Sequence, residues 1–148
     1  MKLLSGYVVI VLLTCFAFSC NSTKVANTDT ISGKYWKLVV LNGKDIEDYT
    51  TPGKEPHIIF DGNENRAYGN AGCNNFSGGY EISEDSRIHF NAMASTKMMC
   101  EEMEIEQFFL NVFSNAEKYI LTGDTLELHN SKMETLAIFV AMKLNKLQ

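Results

Sequence analysis

The sequence predicts an α+β domain that is mostly β: a curled antiparallel sheet, or a partly open β-barrel, packed with one α-helix. Two observations carry this. Short runs of aromatic and β-branched residues recur along the chain and stop at Asn-Gly, Asp-Gly and Gly-Asp pairs, as strands joined by tight turns do. One stretch, Ile105 to Ala116, changes to the helical period, and strands resume after it. A meander of strands, one helix and more strands is met most economically by a sheet that curls and takes the helix against it.

The elements follow in order. Tyr35 to Leu41 is a strand ending at the Asn42-Gly43 turn, and His57 to Phe60 is a second, closed by Asp61-Gly62. A third begins near Arg66. A fourth runs from Cys73 to Ile82, with Gly78 and Gly79 inside it suggesting a bulge or tight bend. Arg87 to Phe90 alternates, placing Ile88 and Phe90 on one face and His89 toward water, and Ala92 to Met98 is a weaker strand. Ile105, Phe108, Phe109, Val112, Phe113 and Ala116 then form an apolar helical stripe, with Glu101, Glu102 and Glu104 at the favourable N-terminal end. Three phenylalanines on that face imply a sheet that buries them, at about 1.5–3 kcal/mol for each fully buried ring. Tyr119 to Leu121, the Gly123-Asp124 turn, Thr125 to His129 and a nearly continuous apolar run, Leu136 to Met142, complete the sheet. The last reads as a central strand.

A chain of 148 residues, 45% hydrophobic and 21% charged, has room for one domain and a tail. Lys2 is the one charge before Lys24, and leaving it out turns 13 Lys+Arg into 12 against 18 Asp+Glu, a net charge of −6 for the mature part. Scattered acidic charge argues against nucleic acid and against electrostatic binding to anionic lipid headgroups.

The N-terminus reads as an address. Lys2 precedes an apolar run from Tyr7 to Phe18, too short for a bilayer span of about 20 residues but suited to a secretory signal. Ala17-Phe18-Ser19-Cys20 resembles the lipobox of bacterial lipoprotein signals, in which the cysteine sulfur receives diacylglycerol and becomes residue one. Ala17 stands where leucine is usual, and Phe18 is bulky, so plain secretion and an uncleaved anchor stay open. The expected organisation is a signal peptide over residues 1–19, lipid on Cys20, a flexible polar tether over 20–31 and a domain over 32–145.

Three stretches resemble the META (HslJ-like) domain family over residues 32–143. Trp36-Lys37-Leu38 with Leu41-Asn42-Gly43 resembles the opening strand. Gly72-Cys73-Asn74-Asn75-Phe76-Ser77-Gly78 and Ser95-Thr96-Lys97-Met98-Met99-Cys100 resemble the two cysteine-bearing motifs. The resemblance implies a compact β-rich fold with one helix, displayed in the bacterial envelope and associated with heat shock and other stress, motility or secretion. It brings no settled molecular activity. Lys97 replaces an arginine common in the second motif, which would weaken any role needing a bidentate guanidinium.

Cys73 and Cys100 form an even pair in an exported protein and so suggest a disulfide. Two reduced buried thiols or a redox-active pair are the alternatives, the latter lacking the close spacing redox enzymes favour. His57, His89 and His129 stand far apart in sequence without ligand spacing, so no metal is expected. Asp61 to Asn65 superficially resembles a calcium loop, but Arg66 replaces its glycine and Gly72 its bidentate glutamate. No hydroxyl or thiol has an evident base beside it, so no catalytic residue and no cofactor are expected. Asn74, Asn75, Ser77, Thr96 and Lys97 make a polar cluster around the two motifs. They either shape turns and satisfy backbone groups or form a partner or ligand surface.

The expected function is a non-enzymatic envelope lipoprotein module, facing the periplasm, that binds an envelope protein or supports envelope integrity under stress. Asn21, not aspartate, follows Cys20, which favours the outer membrane over the inner. The rival expectation is a carrier holding an acyl chain or other small apolar ligand within the curled sheet.

Overall fold

A computed structural model describes residues 30–46, 54–100 and 103–142. The expected signal, Cys20, nearly all of the expected tether and the pair Glu101 and Glu102 lie outside the described residues. The described residues form nine strands and one helix: β1 Tyr35–Leu41, β2 Lys44–Asp45, β3 His57–Asp61, β4 Arg66–Asn70, β5 Asn75–Ser83, β6 Arg87–Ser95, α1 Glu104–Asn115, β7 Lys118–Thr122, β8 Thr125–His129 and β9 Thr135–Met142.

All strand pairs are antiparallel. They run in the order β2-β1-β3-β4-β5-β6-β7-β8-β9, and β9 pairs again with β1, so the sheet curls into a ring. One edge of β1 lies against β9, while the other is shared by β3 at Tyr35–Lys37 and β2 at Val40–Leu41. The predicted central strand is β9, paired on both sides. The ring is weakest between β6 and β7, which share the single register pair Arg87–Lys118.

The turns follow from their residues. Asn42 and Gly43 both take positive φ (49° and 77°), the two-residue hairpin form whose twist suits the flanking strands. Asp61 Oδ1 accepts the N–H groups of Asn63 and Glu64 at 2.8 and 3.3 Å, so this acidic stretch builds a hairpin turn. The predicted glycine irregularity is a bulge: the β5–β6 register shifts between Ser77 and Gly79, setting Ala92 and Met93 opposite Gly78. A Cβ on Gly78 would lie 2.3 Å from Met93 Sδ and 2.8 Å from the Asn91 carbonyl, which is why glycine stands there.

Two boundaries and the burial of one residue differ from the sequence reading. The fourth strand starts at Asn75, not Cys73, because Ala71–Asn74 form a loop closed by Ala71 N–H on Asn74 O at 2.8 Å. The weak strand from Ala92 to Met98 is the continuation of β6 through the bulge at Ala92 (φ 45°), and it ends at Ser95. Phe108, placed in the buried stripe by its spacing, is 46% exposed. The helix is rotated so that Glu106, Phe109, Val112 and Phe113 point inward, Ala116 lies buried just past its end, and Ile105 is half-buried.

The core fills the ring. Trp36, Leu38, Ile58, Phe60, Phe76, Ile88, Phe90, Leu126, Leu128 and Phe139 project from alternate strand positions and are nearly or fully buried. Phe109 and Phe113 of α1 meet Phe76, Phe90 and Phe139 with ring centroids 4.8–5.8 Å apart, mostly tilted or edge-on. Trp36 satisfies its indole by donating to the Ile31 carbonyl at 2.8 Å.

Candidate functional site: the motif junction

The two cysteine motifs meet at the start of α1. Gly72 turns the β4–β5 loop with φ 112°, a conformation L side chains rarely adopt, and donates its N–H to Asn70 Oδ1 at 2.8 Å. Cys73 is bonded to Cys100, with Cα atoms 6.2 Å apart, which ties this loop to the segment that follows β6.

Asn74, 1% exposed, is the centre of the junction. Its Oδ1 accepts the Thr96 hydroxyl and the Met98 N–H, both at 2.7 Å. Its Nδ2 donates to the Met98 carbonyl at 3.0 Å and to Glu106 Oε1 at 2.7 Å. The hydrogen-bonding capacity of the amide is thus filled within the protein. Glu106, 4% exposed, reaches back from the first turn of α1, and its Oε2 accepts the N–H groups of Cys73 at 3.2 Å and Asn74 at 2.6 Å. One carboxylate therefore satisfies two backbone donors and one side-chain donor that would otherwise be buried without partners.

The candidate residues divide. Asn74, Asn75 and Thr96 are brought together: beyond the bonds above, Asn75 N–H reaches Thr96 Oγ1 at 3.2 Å, Thr96 N–H reaches the Asn75 carbonyl at 3.0 Å, and Asn75 Oδ1 accepts from Asn70 Nδ2 at 2.9 Å. Ser77 lies apart and accepts from Arg66 Nη2 at 3.0 Å. Lys97 is exposed and takes no part in this network. Glu106 is the residue that sequence reasoning missed. Its signal was spacing: Glu106, Phe109 and Phe113 stand at i, i+3 and i+7, so a helix burying both rings carries the carboxylate inward with them.

Two further polar groups are placed by the fold. His57 stacks on Tyr35 with ring centroids 4.2 Å apart, and its Nδ1 lies 2.9 Å from the Glu55 carbonyl. Burial lowers the His57 pKa against the opposing pull of Glu55, and burial followed by the Glu55 charge pushes Tyr35 up to about 12. His129 is buried, with Nδ1 3.4 Å from the Thr135 hydroxyl and Nε2 3.2 Å from Glu127 Oε2. The second approach is short but poorly aligned for a hydrogen bond, so Nε2 lacks a partner. His89 is exposed on the outer face of β6.

On the surface, Met98 is 53% and Met99 92% exposed beside the junction. A groove of about 350 Å³ runs between the start of α1 and the β1–β2 hairpin, with Leu41, Ile46, Ile105 and Phe108 as its apolar walls. Among the described residues no cluster of three His, Cys, Asp or Glu side chains is placed to hold a metal.

A model of the META domain family matches residues 29–143. No curated protein matches the chain. Among solved structures, one NMR structure is similar at 24% identity and a TM-score of 0.59, covering 74% of this chain and 91% of its own. An NMR structure of a protein from Burkholderia xenovorans is similar at 18% identity and a TM-score of 0.61, covering 76% and 84%. A crystal structure of a DUF4847-family protein from Bacteroides vulgatus is similar at 16% identity and a TM-score of 0.53, covering 74% and 93%. At these identities the likeness is one of fold.

Proposed function

The chain belongs to the META domain family, and from that premise we propose that it is a non-enzymatic module of the bacterial cell envelope that binds a protein partner or supports envelope integrity under stress. The observation that carries this reading is the filled network at the motif junction. Asn74 and Thr96 turn their polar atoms inward to Met98, Asn75 and Glu106, and a disulfide closes the same corner. The family motifs thus build a rigid scaffold, and the groups left to meet another molecule lie on the surface.

The apolar run before Ala17-Phe18-Ser19-Cys20 supports lipid attachment at Cys20, with the domain facing the periplasm. Asn21 after that cysteine favours the outer membrane. A disulfide in the fold suits an oxidising compartment.

The carrier reading is less favoured because aromatic rings occupy the inside of the curled sheet. A small apolar ligand would use the groove beside Phe108 instead.

Native mass spectrometry of the protein gently extracted from its own membranes, with and without reductant, tests the proposal. The expected result is lipid on Cys20, the two-hydrogen deficit of the disulfide, and a co-purifying protein. Tightly held apolar mass would replace it with the carrier reading, and turnover of an envelope substrate by the purified chain would overturn it.

A further inference from the structure

The seam between β6 and β7 is nearly unmade. β6 pairs with β5 from Arg87 to Ser95, interrupted by the bulge, yet on its other side it meets β7 in the single register pair Arg87–Lys118. Two backbone bonds complete that junction: Ile88 N–H to the Glu117 carbonyl at 3.1 Å and Tyr119 N–H to the Ser86 carbonyl at 2.9 Å. Beyond Ile88, no strand among the described residues pairs with this edge. α1 packs on the inner face of β6, its Phe113 ring 4.9 Å from that of the buried Phe90, while Ala92, Ala94 and Ser95 are exposed.

The backbone direction along the edge follows from alternation. Ile88 points its N–H toward β7, so Phe90 points its peptide groups the same way. Past the bulge, Thr96 points its N–H to the Asn75 carbonyl, so Ser95 points outward.

We propose that this free edge of β6, from His89 to Ser95, receives a short extended segment, net acidic, of a partner protein by strand addition. This rests on the interaction-module reading above and names the chemistry of its partner. The outward N–H and C=O groups at Phe90 and Ser95, one on each side of the bulge, are complemented by a short extended peptide backbone. The sign of the segment follows from the side chains at the edge. Arg87 and His89 lie on β6, Lys97 stands just past its end, and Lys118 sits at the junction beside the exposed Glu117, so cations outnumber the carboxylate there. Glu81, opposite His89 on β5, accepts from Asn91 Nδ2 at 2.8 Å. A second copy of the chain is disfavoured, because an antiparallel β6 pair centred on Ala92 would set Arg87 against Lys97 of the copy. The bulge at Ala92 limits an added strand to a few residues on either side, which resists open-ended edge-to-edge assembly.

The test is amide hydrogen exchange of the full chain, measured as purified detergent-solubilised protein and again in native membrane vesicles. The expected result is exchange of the 89–96 peptide slower by about tenfold or more in the vesicles. Ser95→Pro, which removes an outward N–H and leaves the β5 ladder intact, abolishes that difference. At the exposed Ala94, Ala94→Glu weakens the protection while Ala94→Lys keeps it. That charge pair decides the matter if the proline variant fails to fold. Equal exchange of this peptide in both preparations overturns the proposal, as does protection accompanied by a homodimer in native mass spectra. Protection appearing instead on β4, where Tyr68 is 43% exposed, would remove the edge but leave the interaction reading standing. Protection nowhere would remove both.

Discussion

Glu106 is the side chain on which the motif junction depends, and its replacement has a magnitude that follows from its partners. In Glu106→Ala, the N–H groups of Cys73 and Asn74 and the Asn74 amide nitrogen lose their acceptors at a site that is 1–7% exposed. Each stranded buried donor costs about 1–3 kcal/mol, and partial water entry holds the three together to about 3–6 kcal/mol. Glu106→Gln is a milder change. Its carbonyl takes the Oε2 position and keeps both backbone bonds, but its amide faces the Asn74 amide. Turning Asn74 over would break its bonds to Thr96 and Met98, so one contact is lost, at about 1–3 kcal/mol. The assay is urea unfolding of the full chain in detergent, followed by fluorescence of the single tryptophan, Trp36, which is fully buried. Equal costs for the two variants, or a cost for alanine below about 1 kcal/mol, would refute the reasoning.

Breaking the disulfide by Cys73→Ser with Cys100→Ser is expected to destabilise the domain by about 3.6 kcal/mol, from the entropy of closing a loop of sequence separation 27. Chemical denaturation with and without reductant measures it, the double variant matching the reduced protein. Gly78→Ala is expected to cost about 1–3 kcal/mol in a thermal melt, because its methyl would press on Met93 Sδ and the Asn91 carbonyl in the bulge. His57 has a folded pKa below its unfolded value of 6.5. Above pH 6.5 both states are neutral there; as pH falls below 6.5 the unfolded chain takes up the proton first, so stability is lost until folded His57 also titrates. NMR titration of the ring and pH-dependent unfolding check the sign, and His57→Asn is expected to remove that share of the slope.

Strands were legible wherever turn chemistry and period agreed. Asn42-Gly43, Asp61-Gly62 and Gly123-Asp124 each close a hairpin, and the glycines at 78 and 79 mark the bulge their sequence suggested. The two-residue β2 was not legible, since Lys44 and Asp45 have no strand pattern and pair because the preceding turn returns them to β1. Nor could local spacing show that β6 passes through Ala92 as one strand. A bulge shifts the alternation by one residue, so the pattern on its far side looks like a separate and weaker element.

The polar cluster was visible as residue types but not as roles, and the reason is physical. An asparagine in a Gly-rich turn has the same sequence signature whether its amide faces water or a buried carboxylate thirty-two residues away. What decides is the rotation of α1: burial of Phe109 and Phe113 fixes its inner face, and Glu106 and Phe108 compete for the margin of that face. Burying the 46% of Phe108 that is still exposed would gain about half of the 1.5–3 kcal/mol of a fully buried ring. Turning Glu106 outward would strand three buried donors at about 1–3 kcal/mol each, so the carboxylate wins and the ring is left 46% exposed. Phe108 thereby becomes a wall of the groove beside the β1–β2 hairpin. The exposed apolar surface next to the motif junction is thus a consequence of the lock inside it. Glu106→Ala is therefore expected to let α1 turn Phe108 inward while the loop loosens, and an unchanged solvent exposure of the Phe108 ring in the variant would count against that coupling.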